Sequence, residues 1–171
     1  DQIEAWSQVT RAVHDAGGLI ACQLMHCGRI GHSLNAPGSR FVAPSAIPAQ
    51  ADIFTPAGMQ PMPTPEALTV SGIAEVVNDY RTAAENCLAA GFDAVELHCA
   101  SGYLPAQFLA TGSNQRSDGY GGELANRLRF VREVLEALVT AVGRGRVGMR
   151  ISPGNTYNDH VDDDPVSTYT G

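Results

Sequence analysis

Apolar residues recur along this chain with two periods, and their alternation predicts three helices interleaved with three strands. From Ile3 to Ala16 they fall at Ile3, Trp6, Val9 and Val13, a helical stripe. Gly17-Gly18 ends it. LIACQLM (19–25) is a short apolar run and reads as a buried strand. A second helix is expected over about 71–90, with Ile73, Val76, Val77, Tyr80, Ala84, Cys87 and Leu88 on one face and Gly91 as the stop. DAVELH (93–98) reads as the next strand. A third helix covers about 123–142, with Leu124, Leu128, Val131, Leu135, Leu138 and Val142 on one side. RVGMRIS (146–152) reads as a third strand.

Between the first strand and the second helix lies Gly28 to Pro65, which holds seven of the ten prolines. That composition excludes regular helix and central strand. So long a loop inside a compact domain counts against an assignment unless the loop is functional.

Helices alternating with strands mean parallel strands joined by helical crossovers, hence an α/β fold. Three strands fit an open doubly wound sheet or part of a (β/α)8 barrel. The strand ends favour the barrel. Alternate strand residues share a face, so Val95 and Leu97 oppose Glu96 and His98, and Val147 and Met149 oppose Gly148 and Arg150. Cys22 and Leu24 likewise oppose Gln23 and Met25. Each strand therefore has an apolar side for helices and one polar residue (Gln23, His98 or Arg150) near its C-terminal end on the other side. Polar groups meeting at the C-terminal ends of strands are the layout of a barrel active site. No GxGxxG turn follows a strand, which disfavours a Rossmann dinucleotide site.

Composition narrows the classes. The 171 residues suit one domain or part of a larger one, and 44% hydrophobic content is enough for a core. The chain opens at Asp1 inside a helical pattern, as a piece of something longer would. A net charge of −7 argues against nucleic acid as a partner. No apolar run is long enough to cross a bilayer, and no signal-peptide pattern precedes the first helix. Cys22, Cys27, Cys87 and Cys99 form no CxxC pair and read as reduced thiols of a cytoplasmic protein, Cys22 and Cys87 in the core. Asp162 to Asp164 reads as a solvated loop rather than a metal site. Asn114, Arg116, Asp118, Tyr120 and Gly121-Gly122 read as a loop lock before the third helix.

The chemistry gathers in VELHCASGYLPAQFL (95–109), where His98, Ser101 and Tyr103 follow the end of a strand. A neutral imidazole and a hydroxyl can each donate a hydrogen bond to a carbonyl or nitro oxygen. A tyrosine, protonated at neutral pH, can supply a proton. Arg150 is a fixed cation suited to an anionic ring, and Gln23 offers a donor and an acceptor. The set suits a reaction that builds negative charge on a conjugated substrate and on a cofactor.

That segment, together with SNQRSDGYGGELANRLRFVREVLEAL, RVGMRISP, QLMHCGRIGH and VAPSAI, resembles the flavin-dependent Old Yellow Enzyme family, especially members of the N-ethylmaleimide reductase type. The resemblance runs through essentially the whole chain in the same order. It implies an FMN-containing (β/α)8 barrel of which residues 1–171 are the central part, without the flanking strands. It implies hydride transfer from NADPH or NADH through FMN to an activated alkene (an enone or maleimide) or to a nitro compound. By resemblance, His98 binds the electron-withdrawing oxygen of the substrate and Tyr103 protonates the α-carbon. Gln23 and Arg150 contact the flavin, and the stretch from about 28 to 65 lies over the barrel mouth.

Departures from the family pattern are specific. Ser101 stands where Asn or His is usual, and its shorter side chain bears on substrate binding. Met25 replaces a Trp of close relatives, Thr111-Gly112 a Ser-Pro pair, and Ala125 a Glu. Two other readings stay open: an inactive or partner-binding fragment or degenerate relative, and a metal-dependent barrel hydrolase. For a metal, His26-Cys27, His32 and His98-Cys99 offer nitrogen and sulfur donors, without an HxH or CxxC pair.

Overall fold

The computed structural model describes residues 1–170. Helix α1 (Gln2–Asp15) is capped by Asp1, whose carboxylate accepts the Glu4 N–H at 3.0 Å. Strand β1 (Ala21–Leu24) follows, shorter than the apolar run around it: Leu19 and Met25 lie outside it and are exposed. Next come β2 (Val42–Ala43), β3 (Asp52–Thr55), β4 (Gly58–Pro61) and β5 (Glu66–Ala67). Helix α2 (Val70–Ala89) starts at Thr69, whose hydroxyl accepts the Gly72 N–H at 3.0 Å. Strand β6 (Ala94–Cys99), the short helix α3 (Leu104–Leu109), helix α4 (Leu124–Val142) and strand β7 (Val147–Ile151) complete the main frame. A 3-10 turn (Tyr157–Asp159) and α5 (Pro165–Thr170) close the chain.

The main sheet is parallel in the order β1-β6-β7. Its register places Gln23 beside Glu96, Glu96 beside Gly148, and His98 beside Arg150. One face carries the core. Val95, Leu97 and Cys99 of β6 are 0–1% exposed. They pack in one cluster with Ile73, Val76 and Tyr80 of α2 and Phe130, Val134 and Leu138 of α4. Truncating Leu97 to Ala there removes about 2–5 kcal/mol, transfer energy plus an unfilled cavity. The core face of β7 is barely covered, with Met149 and Ile151 each 43% exposed. The topology is that of three consecutive strands of an α/β barrel with helices on the outside.

Two sequence expectations need correction. The α1 stripe is only partly buried: Trp6 is 52% and Val9 43% exposed. The buried residue is Thr10, whose hydroxyl donates to the Ala90 carbonyl at 2.6 Å and ties α1 to the end of α2. The proline-rich stretch is not wholly irregular either. It contains the antiparallel hairpin β3–β4 and a parallel bridge between β2 and β5. The prolines allow this because they avoid central ladder positions. Pro56 sits in the two-residue turn, and Pro61 pairs with Asp52 at the open end. Thr55 closes the turn, donating to the Gly58 carbonyl at 2.8 Å and accepting the Ala57 N–H at 3.1 Å.

The loop lock behaves as read. Asn114 donates to the Phe108 and Tyr120 carbonyls at 2.7 and 2.8 Å, and Arg116 pairs with Asp118. The acidic cluster serves the backbone: Asp162 accepts the Thr111 N–H at 3.3 Å, and Asp164 accepts the Ser167 N–H at 3.1 Å.

Candidate active site

The face of the sheet opposite the core carries the polar residues, in two layers. The lower layer is Gln23, Glu96 and Gly148; the upper layer is His98 and Arg150. Gln23 is thus one layer below His98, a step that strand alternation alone does not reveal. Gln23 Nε2 donates to Glu96 Oε1 at 2.6 Å. Glu96 shares a face with His98 in the sequence pattern, yet nothing there marked it as the partner of Gln23.

His98 is 8% exposed, and its Nδ1 is buried with no hydrogen-bond partner. Burial, then the Arg150 cation, hold its pKa below the usual histidine value against the opposing pull of Glu96. The imidazole is therefore neutral near pH 7. Arg150 is exposed and, among the described residues, has no ion-pair partner.

After Cys99 the chain turns sharply. Ser101 takes φ 55° and Gly102 φ 73°, both left-handed. A Cβ on Gly102 would stand 2.9 Å from the Tyr157 carbonyl oxygen, so glycine is required on two counts. The Ser101 N–H donates to Ser152 Oγ at 2.8 Å, and Asn158 Nδ2 donates to the Ser101 carbonyl at 2.8 Å. Residues beyond β7 therefore clamp the turn.

Tyr103 is the N-cap residue of α3, and its ring centre lies 5.3 Å from that of His98 at 51°. Its ring packs against Ile30, Ala49 and Met62, all from the proline-rich stretch. That stretch thus walls the site. Helix α3 is entirely buried, with Phe108 stacked on Phe130 at 4.1 Å. At six residues α3 is too short for periodicity to show it. Gln107, 1% exposed, donates to the Gly102 and Cys27 carbonyls at 2.7 and 3.2 Å and accepts the Arg29 N–H at 3.2 Å. It joins the turn, α3 and the start of the long stretch.

The structure therefore brings His98, Ser101, Tyr103 and Arg150 to one end of the sheet, with Gln23 below. Cys99 points away into the core, where burial pushes its thiol up to about 12. Cys87 is buried, and Cys22 is half-buried against the same core. Because His98 and Cys99 face opposite sides, they cannot share a metal ion. Among the described residues no three His, Cys, Asp or Glu side chains gather as metal ligands do. A cleft of about 190 Å³ on the other side of the sheet, with Trp6, Cys22 and Phe92 in its wall, is mostly apolar and distant in kind from this chemistry.

The family model described as NADH:flavin oxidoreductase / NADH oxidase matches residues 1–168. The chain belongs to this family. It is 50% identical to a "Probable flavin mononucleotide-dependent alkene reductase" of Leishmania infantum, over 96% of the chain and 47% of that protein. Among solved structures, it matches an old yellow enzyme homologue from Zymomonas mobilis with a TM-score of 0.94 and 41% identity, over 98% of the chain and 47% of that protein. Morphinone reductase in complex with tetrahydroNAD matches with a TM-score of 0.91 and 44% identity, over 98% of the chain and 48% of that protein. The chain spans about half the length of these relatives. The Old Yellow Enzyme resemblance and the partial (β/α)8 barrel expected from the sequence are thereby borne out, and the family is one that works through flavin.

The residues present fit the ring of such a flavin. Among the described residues, Gln23 keeps Oε1 free as an acceptor and Arg150 supplies an unpaired cation beside the neutral His98. No helix of the described residues is long and apolar enough to cross a membrane.

Proposed function

We propose that the protein is an FMN-dependent ene-reductase. It takes hydride from NADPH or NADH and reduces activated alkenes such as enones and maleimides, or nitro compounds. We place residues 1–171 in the middle of its barrel. The observation that carries this reading is the neutral His98 beside Tyr103 and Arg150 at the strand ends.

Bound FMN supplies the chemistry of hydride acceptance from the nicotinamide and hydride donation to the substrate. The chain's own residues do the rest. Gln23 and Arg150 would hold the ring, with the Arg150 cation placed to stabilise negative charge on it. His98 donates a hydrogen bond to the electron-withdrawing oxygen, and the Ser101 hydroxyl is the second donor. As hydride reaches the β-carbon, negative charge moves onto that oxygen, where such donors act most strongly. The Tyr103 phenol delivers the proton to the α-carbon, and water restores it. One hydride and one proton together saturate one C=C bond. The free thiols suit a reducing compartment such as the cytoplasm.

The test is direct. The intact protein should purify yellow with FMN, bleach anaerobically on NADPH or NADH, and regain its colour on adding 2-cyclohexenone. Protein that neither holds FMN nor recovers colour with an enone contradicts the reading.

A further inference from the structure

Glu96 does none of the work assigned above, yet it makes the shortest contact on the polar face. Its Oε1 lies 2.6 Å from Gln23 Nε2. An ionised carboxylate only accepts, so the amino end of the Gln23 amide must face it. The amide is planar, and its carbonyl oxygen is then turned away from Glu96, with no hydrogen-bond partner among the described residues. On the other flank of Glu96 stands Gly148, where even a Cβ would come no closer than 3.8 Å. No side chain from β7 competes for the carboxylate. Among the described residues, Gln23 is also the only side chain hydrogen-bonded to Glu96.

We propose that Glu96 is a positioning residue for the flavin. By holding Nε2, it presents Gln23 Oε1 as an acceptor to the imide N–H, the one N–H that the oxidised ring carries. Without Glu96 the amide is free to rotate by half a turn and to offer a donor where the ring needs an acceptor. The inference rests on the flavin reading above.

The experiment compares binding of FMN and of N3-methyl FMN, which lacks that N–H, to the apoprotein by fluorescence quenching. The unaltered protein should prefer FMN. Glu96→Ala should weaken FMN binding roughly 3- to 30-fold, the range expected for one well-made hydrogen bond. It should barely change the affinity for N3-methyl FMN, so the preference collapses. Glu96→Gln can still accept from Nε2 and should restore part of it. In a Gln23→Ala background, Glu96→Ala should have no further effect on the preference. Retained preference in Glu96→Ala overturns the proposal. Equal loss for both flavins makes Glu96 a structural strut and overturns it too. Failure of the unaltered protein to bind either flavin overturns this proposal and the functional reading together.

Discussion

His98 and Arg150 stand side by side across the β6–β7 ladder, the imidazole buried and the guanidinium exposed. Their proximity has a consequence at ordinary pH. A proton on His98 would be both poorly solvated and next to a cation, so the ring stays neutral and keeps the one N–H it can donate.

The His98 titration midpoint, followed by proton–nitrogen NMR, should therefore fall below the free-histidine value of about 6.5. Arg150→Leu should raise it part of the way, since burial is the larger cause. Burial also lowers His26 and His160. With folded values lowered, the unfolded chain takes up protons first. The histidine contribution to stability should be full above about pH 6.5, fall as pH drops through the lowered folded values, and level off below them. Urea unfolding at a series of pH values checks this, and His160→Gln should flatten the slope.

Ser101 holds a left-handed conformation that suits asparagine better than serine. Ser101→Asn should stabilise the protein by about 0.5–1 kcal/mol, whereas Ser101→Val should destabilise it by about 1–2 kcal/mol. Thermal melts separate the two. The longer amide should also tighten enone binding beside His98, read as a lower KM.

Tyr103→Phe keeps the packing on Ile30, Ala49 and Met62 and removes only the phenol proposed as the proton source. Enone reduction should slow roughly 100-fold or more, within the usual range for a positioned acid. Nitro reduction, whose protons can come from water, should change little. His98→Ala should impair both. Stopped-flow reoxidation with each substrate checks these outcomes, and full-speed enone reduction by Tyr103→Phe would exclude the assigned role.

Arg29 is 2% exposed and reaches across to the end of the chain. Its Nη2 donates to the Asp159 carbonyl at 2.7 Å and to Asp159 Oδ2 at 3.3 Å, and Nη1 donates to the Ile47 carbonyl at 3.3 Å. Asp159 Oδ2 also accepts the Gln50 N–H at 3.0 Å. Asp159→Ala leaves a buried cation without its counter-charge and should cost about 3 kcal/mol. Arg29→Lys should not recover the loss of the fork, because one ammonium cannot span these acceptors. Chemical denaturation of single and double variants measures both.

The sequence alone determined the frame and the residue types of the site. Periods of 3.6 and 2 depend only on neighbours along the chain, so the three long helices and the three parallel strands were readable from the positions of Ile73 to Leu88, Leu124 to Val142 and Val95 to Leu97. Strand alternation likewise set Gln23, His98 and Arg150 against the apolar face, and the HCASGY segment carried the family likeness. Tertiary structure decided what depends on register and on distant chain segments. Only the ladder put Gln23 beside Glu96, one layer below His98. Only packing brought Ile30 and Met62 under Tyr103, and carried Ser152 and Asn158 back onto the Ser101 turn. The hairpin at 52–61 and the six-residue α3 were hidden for a similar reason. Both are too short for a period to register; the hairpin is closed by the local Thr55 turn, and α3 is held by contacts with residues far away in the sequence, such as Phe108 on Phe130.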